Sequence, residues 1–149
     1  MRPEDCKYSE THEWVKYNDK KKEATIGITD YAVKQLSDLV HIELPKQNDS
    51  LEQGAPFGEI ESVKTVADLV SPLTGKVLEV NKELVSDLDT LKDEPFEGGW
   101  LLKIKVGDPA EMEALMSRKE YEEFLEAAQE EEQEGKKDDS EEVDEDDFV

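Results

Sequence analysis

A mainly β fold is predicted for this chain: a small sandwich or flattened barrel with short helices at the C-terminal end. Three observations predict it. Short runs of strand-forming residues recur between Glu13 and Val106, with turn residues between them. Two of those runs close tightly on a single lysine, Lys64. Beyond Asp108 the apolar period changes from that of a strand to that of a helix.

The elements follow in order. Glu13-Trp14-Val15-Lys16 and Glu23-Ala24-Thr25-Ile26-Gly27-Ile28-Thr29 read as two paired strands, with Asn18-Asp19-Lys20 turning between them. Thr29 or Asp30 can then cap a short helix through Leu36. Leu39–Leu44 is a strand ended by Pro45, and Gln47-Asn48-Asp49-Ser50 is a loop. Phe57–Ser62 and Val66–Ser71 form a hairpin, Ser71–Gly75 a turn, and Lys76–Val80 a further strand. An irregular stretch leads to the last strand, Trp100–Val106, alternating from Leu102. Asp108-Pro109-Ala110-Glu111 supplies a cap, a proline at the first helical position and a glutamate in the first turn. Ser117-Arg118-Lys119-Glu120 repeats the capping pattern, and Tyr121, Phe124, Leu125 and Ala128 form one apolar stripe, expected to pack on the sandwich.

Length and charge bound the function. The 149 residues suit one domain of ordinary size, expected over residues 1–127. Forty acidic against 18 basic residues give a formal charge of −22, which repels nucleic acid and anionic lipid alike. Residues 128–149 form an acidic tail, expected to be a helix end and then disordered. No apolar run approaches the roughly 18 residues of a membrane span, and the N-terminus has neither the apolar core of a secretory signal nor the basic character of a transit peptide. One cysteine, Cys6, allows no internal disulfide; it is read as an inert thiol in a mobile N-terminus, and a cytoplasmic setting is expected. His12 and His41 have no partner at metal-ligand spacing and read as packing or surface residues. No nucleophile–His–acid constellation or phosphate-binding glycine loop is present, so no catalytic residue is assigned.

Lys64 is the informative residue. A lysine at a hairpin tip is ordinarily a plain surface side chain. The same position also holds an amine clear of the body while the strands fix its backbone, which is what an acylating enzyme and later partners would require. Glu61, Val63 and Thr65 flank it.

Several blocks now fall into the order of a known family. Tyr8 with Thr11-His12-Glu13-Trp14-Val15 comes first, then Thr25-Ile26-Gly27-Ile28-Thr29-Asp30, then Leu39-Val40 through Glu43-Leu44-Pro45. Glu61-Ser62-Val63-Lys64 follows, then Ser71-Pro72-Leu73-Thr74-Gly75 through Val80-Asn81, and last Pro95-Phe96-Glu97-Gly98-Gly99-Trp100. With these blocks the chain resembles the H proteins of the glycine cleavage system from about Lys7 to about Leu125. Biotin carriers typically place Met on both sides of their lysine, and the lipoyl domains of 2-oxo acid dehydrogenases place Asp before it; here the neighbours are Val63 and Thr65.

The resemblance implies a barrel-like sandwich of two antiparallel sheets with C-terminal helices, and a lipoylated carrier with no catalysis of its own, with lipoate held as an amide on Lys64. Its implied partners are a pyridoxal-phosphate glycine decarboxylase, a folate-dependent aminomethyltransferase, a flavin-bearing dihydrolipoyl dehydrogenase and a lipoyl ligase or transferase. A monomer is expected. The family folds the loaded arm into a surface cleft; by position, Glu13 and Asp68 supply carboxylates near its ammonium and Thr11 a hydroxyl. Two departures stand out: Lys92 where the family commonly has Asn, and Leu88 where a proline is usual. A cation at residue 92 beside the cleft would disfavour an ammonium. Two further readings stay open: an H-like carrier for another lipoate-dependent pathway, such as a lipoyl relay or sulfur oxidation, and an unmodified binding module.

Overall fold

The computed structural model describes residues 2–128. Apart from Ala128, the expected acidic tail lies outside the described residues. Among the described residues nine strands form two sheets: β1 (Lys7–Tyr8), β2 (Glu13–Asn18), β3 (Glu23–Ile28), β4 (Leu39–Glu43), β5 (Ser50–Leu51), β6 (Pro56–Ser62), β7 (Val66–Val70), β8 (Gly75–Val80) and β9 (Leu102–Val106). The larger sheet runs β1-β2-β3-β9-β8-β5 and the smaller β4-β6-β7, and every pair is antiparallel. The ladders do not close into a barrel, so the architecture is a sandwich.

Alternation sets the inner faces. Ala24, Ile26 and Ile28 on β3 stand beside Ile104 and Leu102 on β9, in the pairs Ala24↔Ile104 and Ile26↔Leu102. They join Val15, Val77 and Val106, and from the smaller sheet Ile42, Ile60 and Leu69, in one buried apolar cluster. Two apolar faces with period-2 alternation must cover each other to leave water, which is why two sheets form.

Helix α1 (Asp30–Leu36) starts at Thr29, whose hydroxyl accepts from the Ala32 N–H; Val33 and Leu36 are buried. The stretch expected to be irregular instead holds α2 (Glu83–Ser86) and α3 (Leu88–Asp93), with Leu84 and Leu91 buried and Leu88 partly so. Those three leucines have helical spacing, masked in the sequence by the break at Asp87. The first C-terminal element is a 3₁₀ turn (Pro109–Ala114) rather than an α-helix. Both oxygens of Glu111 bind Thr74, one its N–H and one its hydroxyl, tying that turn to the loop before β8.

The separated sequence blocks meet around Trp14. Its indole N–H donates to the Pro95 carbonyl (2.9 Å), its ring lies 6.0 Å from Phe96, and Gly27 beneath it has no room for a Cβ. Asn81 donates to the carbonyls of Gly98 and Trp100, holding the glycine-rich turn. Cys6 is buried rather than mobile, because β1 begins at the next residue and Tyr8 anchors the segment by donating to the Pro3 carbonyl.

Residues 118–128 form helix α4. On it Tyr121 and Leu125 are buried, Phe124 and Ala128 half-buried, and Glu123, Glu126 and Ala127 exposed.

Candidate functional site

The turn carrying Lys64 is built by a serine. Ser62 is buried at the end of β6, and its Oγ accepts from the N–H groups of Lys64 (3.3 Å) and Thr65 (3.2 Å) while donating to the Thr65 carbonyl (3.3 Å). One hydroxyl so uses its donor and both acceptor sites on one turn. The Ser62 N–H also donates to Thr65 O, and the Val63 N–H to Asp38 O (2.9 Å). The backbone is held from two sides while Val63, Lys64 and Thr65 are themselves exposed. Sequence reasoning gave Ser62 no role; a serine three residues before the turn's last member is the signal for such a bond.

A groove of about 300 Å³ lies between α1, the start of β2 and the body of the lysine hairpin. Thr11, Glu13 and Asp68 all line it, with His12, Tyr31, Gln35, Ile60 and Ala67. Apolar walls with a few convergent polar groups are the usual make-up of a ligand site. Asp68 is exposed and stands opposite Glu59 across the hairpin.

Glu13 is only 1% exposed. One carboxylate oxygen accepts from Ser9 Oγ (2.8 Å) and from the Thr11 hydroxyl; the other accepts from the Val70 N–H (3.2 Å). Burial nevertheless pushes its pKa up to about 7, outweighing the hydrogen bonds, which pull it down. Ser9 supports the same group from below: its Oγ also accepts from the Glu13 N–H (3.0 Å). Sequence reasoning missed Ser9 too.

The tight turn before β2 aims this carboxylate. His12 has φ +73, and its N–H donates to the Ser9 carbonyl. Its ring packs 4.8 Å from Tyr31, and burial lowers its pKa, which favours the neutral imidazole. His41 is a half-exposed residue of β4, 3.5 Å from Glu43. Among the described residues no cluster of His, Cys, Asp or Glu could hold a metal ion.

Lys92 is not beside Glu13. It is exposed on α3 and lines shallow surface depressions with Asp30, Val33, Lys34, Ser37 and Asp38. Those residues of α1 alternate with Tyr31, Ala32, Gln35 and Leu36, which face the groove. Lys92 therefore borders the face of α1 opposite the one that lines the groove.

Comparison with known proteins agrees with this arrangement. The family model described as glycine cleavage H-protein matches residues 6–128. Glycine cleavage system H proteins from two strains of Staphylococcus epidermidis are 44% and 43% identical over 123 residues, spanning 83% of this chain and 96% of theirs. The crystal structure of a glycine cleavage system H protein from Mycobacterium marinum superposes with a TM-score of 0.71 at 35% identity, covering 80% of this chain and 95% of that one. A match of this extent to fold, spacing and sequence places the chain in the glycine cleavage H-protein family.

Proposed function

We propose that this protein is the lipoylated carrier of a glycine cleavage system. It would hold lipoate as an amide on Lys64 and carry the aminomethyl group of glycine from the pyridoxal-phosphate decarboxylase to the folate-dependent aminomethyltransferase. Dihydrolipoyl dehydrogenase then returns the arm to its oxidised form. The observation that carries the reading is an exposed Lys64 on a backbone pinned by Ser62, with an apolar-walled groove holding a few polar groups along the same hairpin.

When bound, lipoate supplies a strained disulfide that takes up the aminomethyl group on one sulfur. The chain's own residues position and protect. Asp68 lies two residues into β7 from Val66, about 7 Å along the strand, within reach of an acylated lysine folded back on the hairpin. The Thr11 hydroxyl and the Glu13 and Asp68 carboxylates offer acceptors to a terminal ammonium. Glu13 sits near its midpoint at neutral pH. A cation arriving in the groove favours the carboxylate, so Glu13 sheds its proton as the ammonium enters. The surrounding apolar wall of Ile60, Ala67 and Leu69 keeps water from the held group.

Intact mass tests the reading. Expressed in a lipoate-competent host, the protein should gain the mass of one lipoyl group, and Lys64→Ala should abolish the gain. An unmodified wild-type protein in a host that lipoylates a control domain would contradict it.

A further inference from the structure

We infer that Val40, Val63 and Val66 form an apolar collar that docks the active-site mouth of the enzyme acylating Lys64, and that this mouth is apolar with basic side chains at its rim. The inference rests on the reading of Lys64 as the lipoyl-bearing residue.

Among the described residues five large apolar side chains stand exposed, and three of them lie on the segments that frame this lysine: Val40 at 50%, Val63 at 71% and Val66 at 54%. They lie on three segments held in one hydrogen-bonded frame. Val40 follows Leu39, which pairs with Ser62; Val63 donates its N–H to Asp38 O; Val66 pairs with Glu61. The β4–β6 register slips at Val40, between Leu39 and His41. A fixed backbone presenting exposed valines is a preorganised surface, whose ordering cost is met on folding rather than on binding. Clustered exposed apolar side chains mark an interaction site.

Charge narrows the partner. Asp38, Glu59, Glu61 and Asp68 flank the collar, and Lys64 is the lone cation between Pro56 and Val70. A carboxylate ring repels nucleic acid and anionic lipid, and attracts a protein rim that carries Arg or Lys. Reach narrows it further. Once acylated, Lys64 extends an arm, and later partners meet its far end. The attaching enzyme must bring its active site down to the bare amine itself, so its reaction requires contact with the residues beside the lysine. There the Nζ lone pair attacks the carbonyl carbon of a lipoyl acyl phosphate anhydride. The C–N bond forms, the nucleotide phosphate leaves, and the amine proton passes to water.

Val40→Thr with Val66→Thr keeps side-chain shape and strand preference while removing apolar contact. With a lipoate–protein ligase, lipoate and ATP, followed by intact mass over time, the double variant should lose about tenfold in kcat/KM, chiefly through KM. Leu78→Thr, at an exposed apolar residue on β8, should keep the parent rate. Rising salt should slow the parent by screening the carboxylate ring. An unchanged rate in the Val40/Val66 variant would overturn the collar, while a parent that is never modified would overturn the reading of Lys64 beneath it.

Discussion

Glu13 is the residue whose chemistry the fold changes most. Its ordinary value of 4.5 rises to about 7 because it is buried at the foot of the groove. A carboxyl held above its unfolded value binds its proton more tightly in the folded state. The stability it allows is fully present below about pH 4.5 and is lost as pH rises toward 7, with no further change above. At about 1.4 kcal/mol per factor of ten in proton affinity, the loss is on the order of 3 kcal/mol. Chemical denaturation across that range, with Glu13→Gln beside the parent, should show the parent losing stability relative to the variant as pH rises; parallel curves would refute the burial argument. The same carboxylate bears on retention of the carried group. Glu13→Gln with Asp68→Asn should leave lipoylation near normal yet hasten loss of the aminomethyl group from the loaded protein by roughly tenfold. Decay at the parent rate would remove both carboxylates from the role proposed for them.

At the scale of the element, the lysine hairpin depends on Ser62. Ser62→Ala would leave the Lys64 and Thr65 N–H groups without their shared acceptor and the hairpin without a side-chain clasp. Because the turn borders water, the cost should be modest, about 1 kcal/mol. Faster hydrogen exchange confined to residues 63–65, with slower lipoylation, is the expected outcome; unchanged exchange would show that the β6–β7 ladder alone sets the turn. The hairpin was legible in the sequence because its two arms are dense in strand formers and close on few residues. The helices α2 and α3 were not, since each is shorter than two turns and Asp87 interrupts their shared leucine spacing. Likewise β1 and β5, two residues each, carry no period to read. The strand pair β2–β3 emerged where expected because inward alternation leaves it one workable register.

Across the whole molecule, charge and packing divide the labour. The full chain carries a formal −22, and among the described residues the carboxylates lie largely on the surface, while the apolar cluster is drawn from both sheets and three helices. Sequence order alone spaced Thr11, Glu13 and Asp68 over nearly sixty residues. Only the packing of β7 against the start of β2 brings them to one groove, through the bond from the Val70 N–H to Glu13. Their positions could be carried over from the family resemblance, but the burial of Glu13 and the support from Ser9 depend on a three-dimensional turn that no local pattern encodes. Nor could the placement of Lys92 beside the other face of α1 be read from a linear spacing. If the arm is tethered here, each docked active site meets it at about millimolar effective concentration, which is the whole advantage of a carrier over a free cofactor. The most direct test is reconstitution: glycine decarboxylase, aminomethyltransferase and dihydrolipoyl dehydrogenase with glycine, folate and a nicotinamide acceptor, scored by glycine-dependent reduction of that acceptor. Lipoylated protein should drive saturable turnover, and Lys64→Arg or the unmodified chain should drive none. Turnover without Lys64, or silence from fully lipoylated protein, would contradict the account.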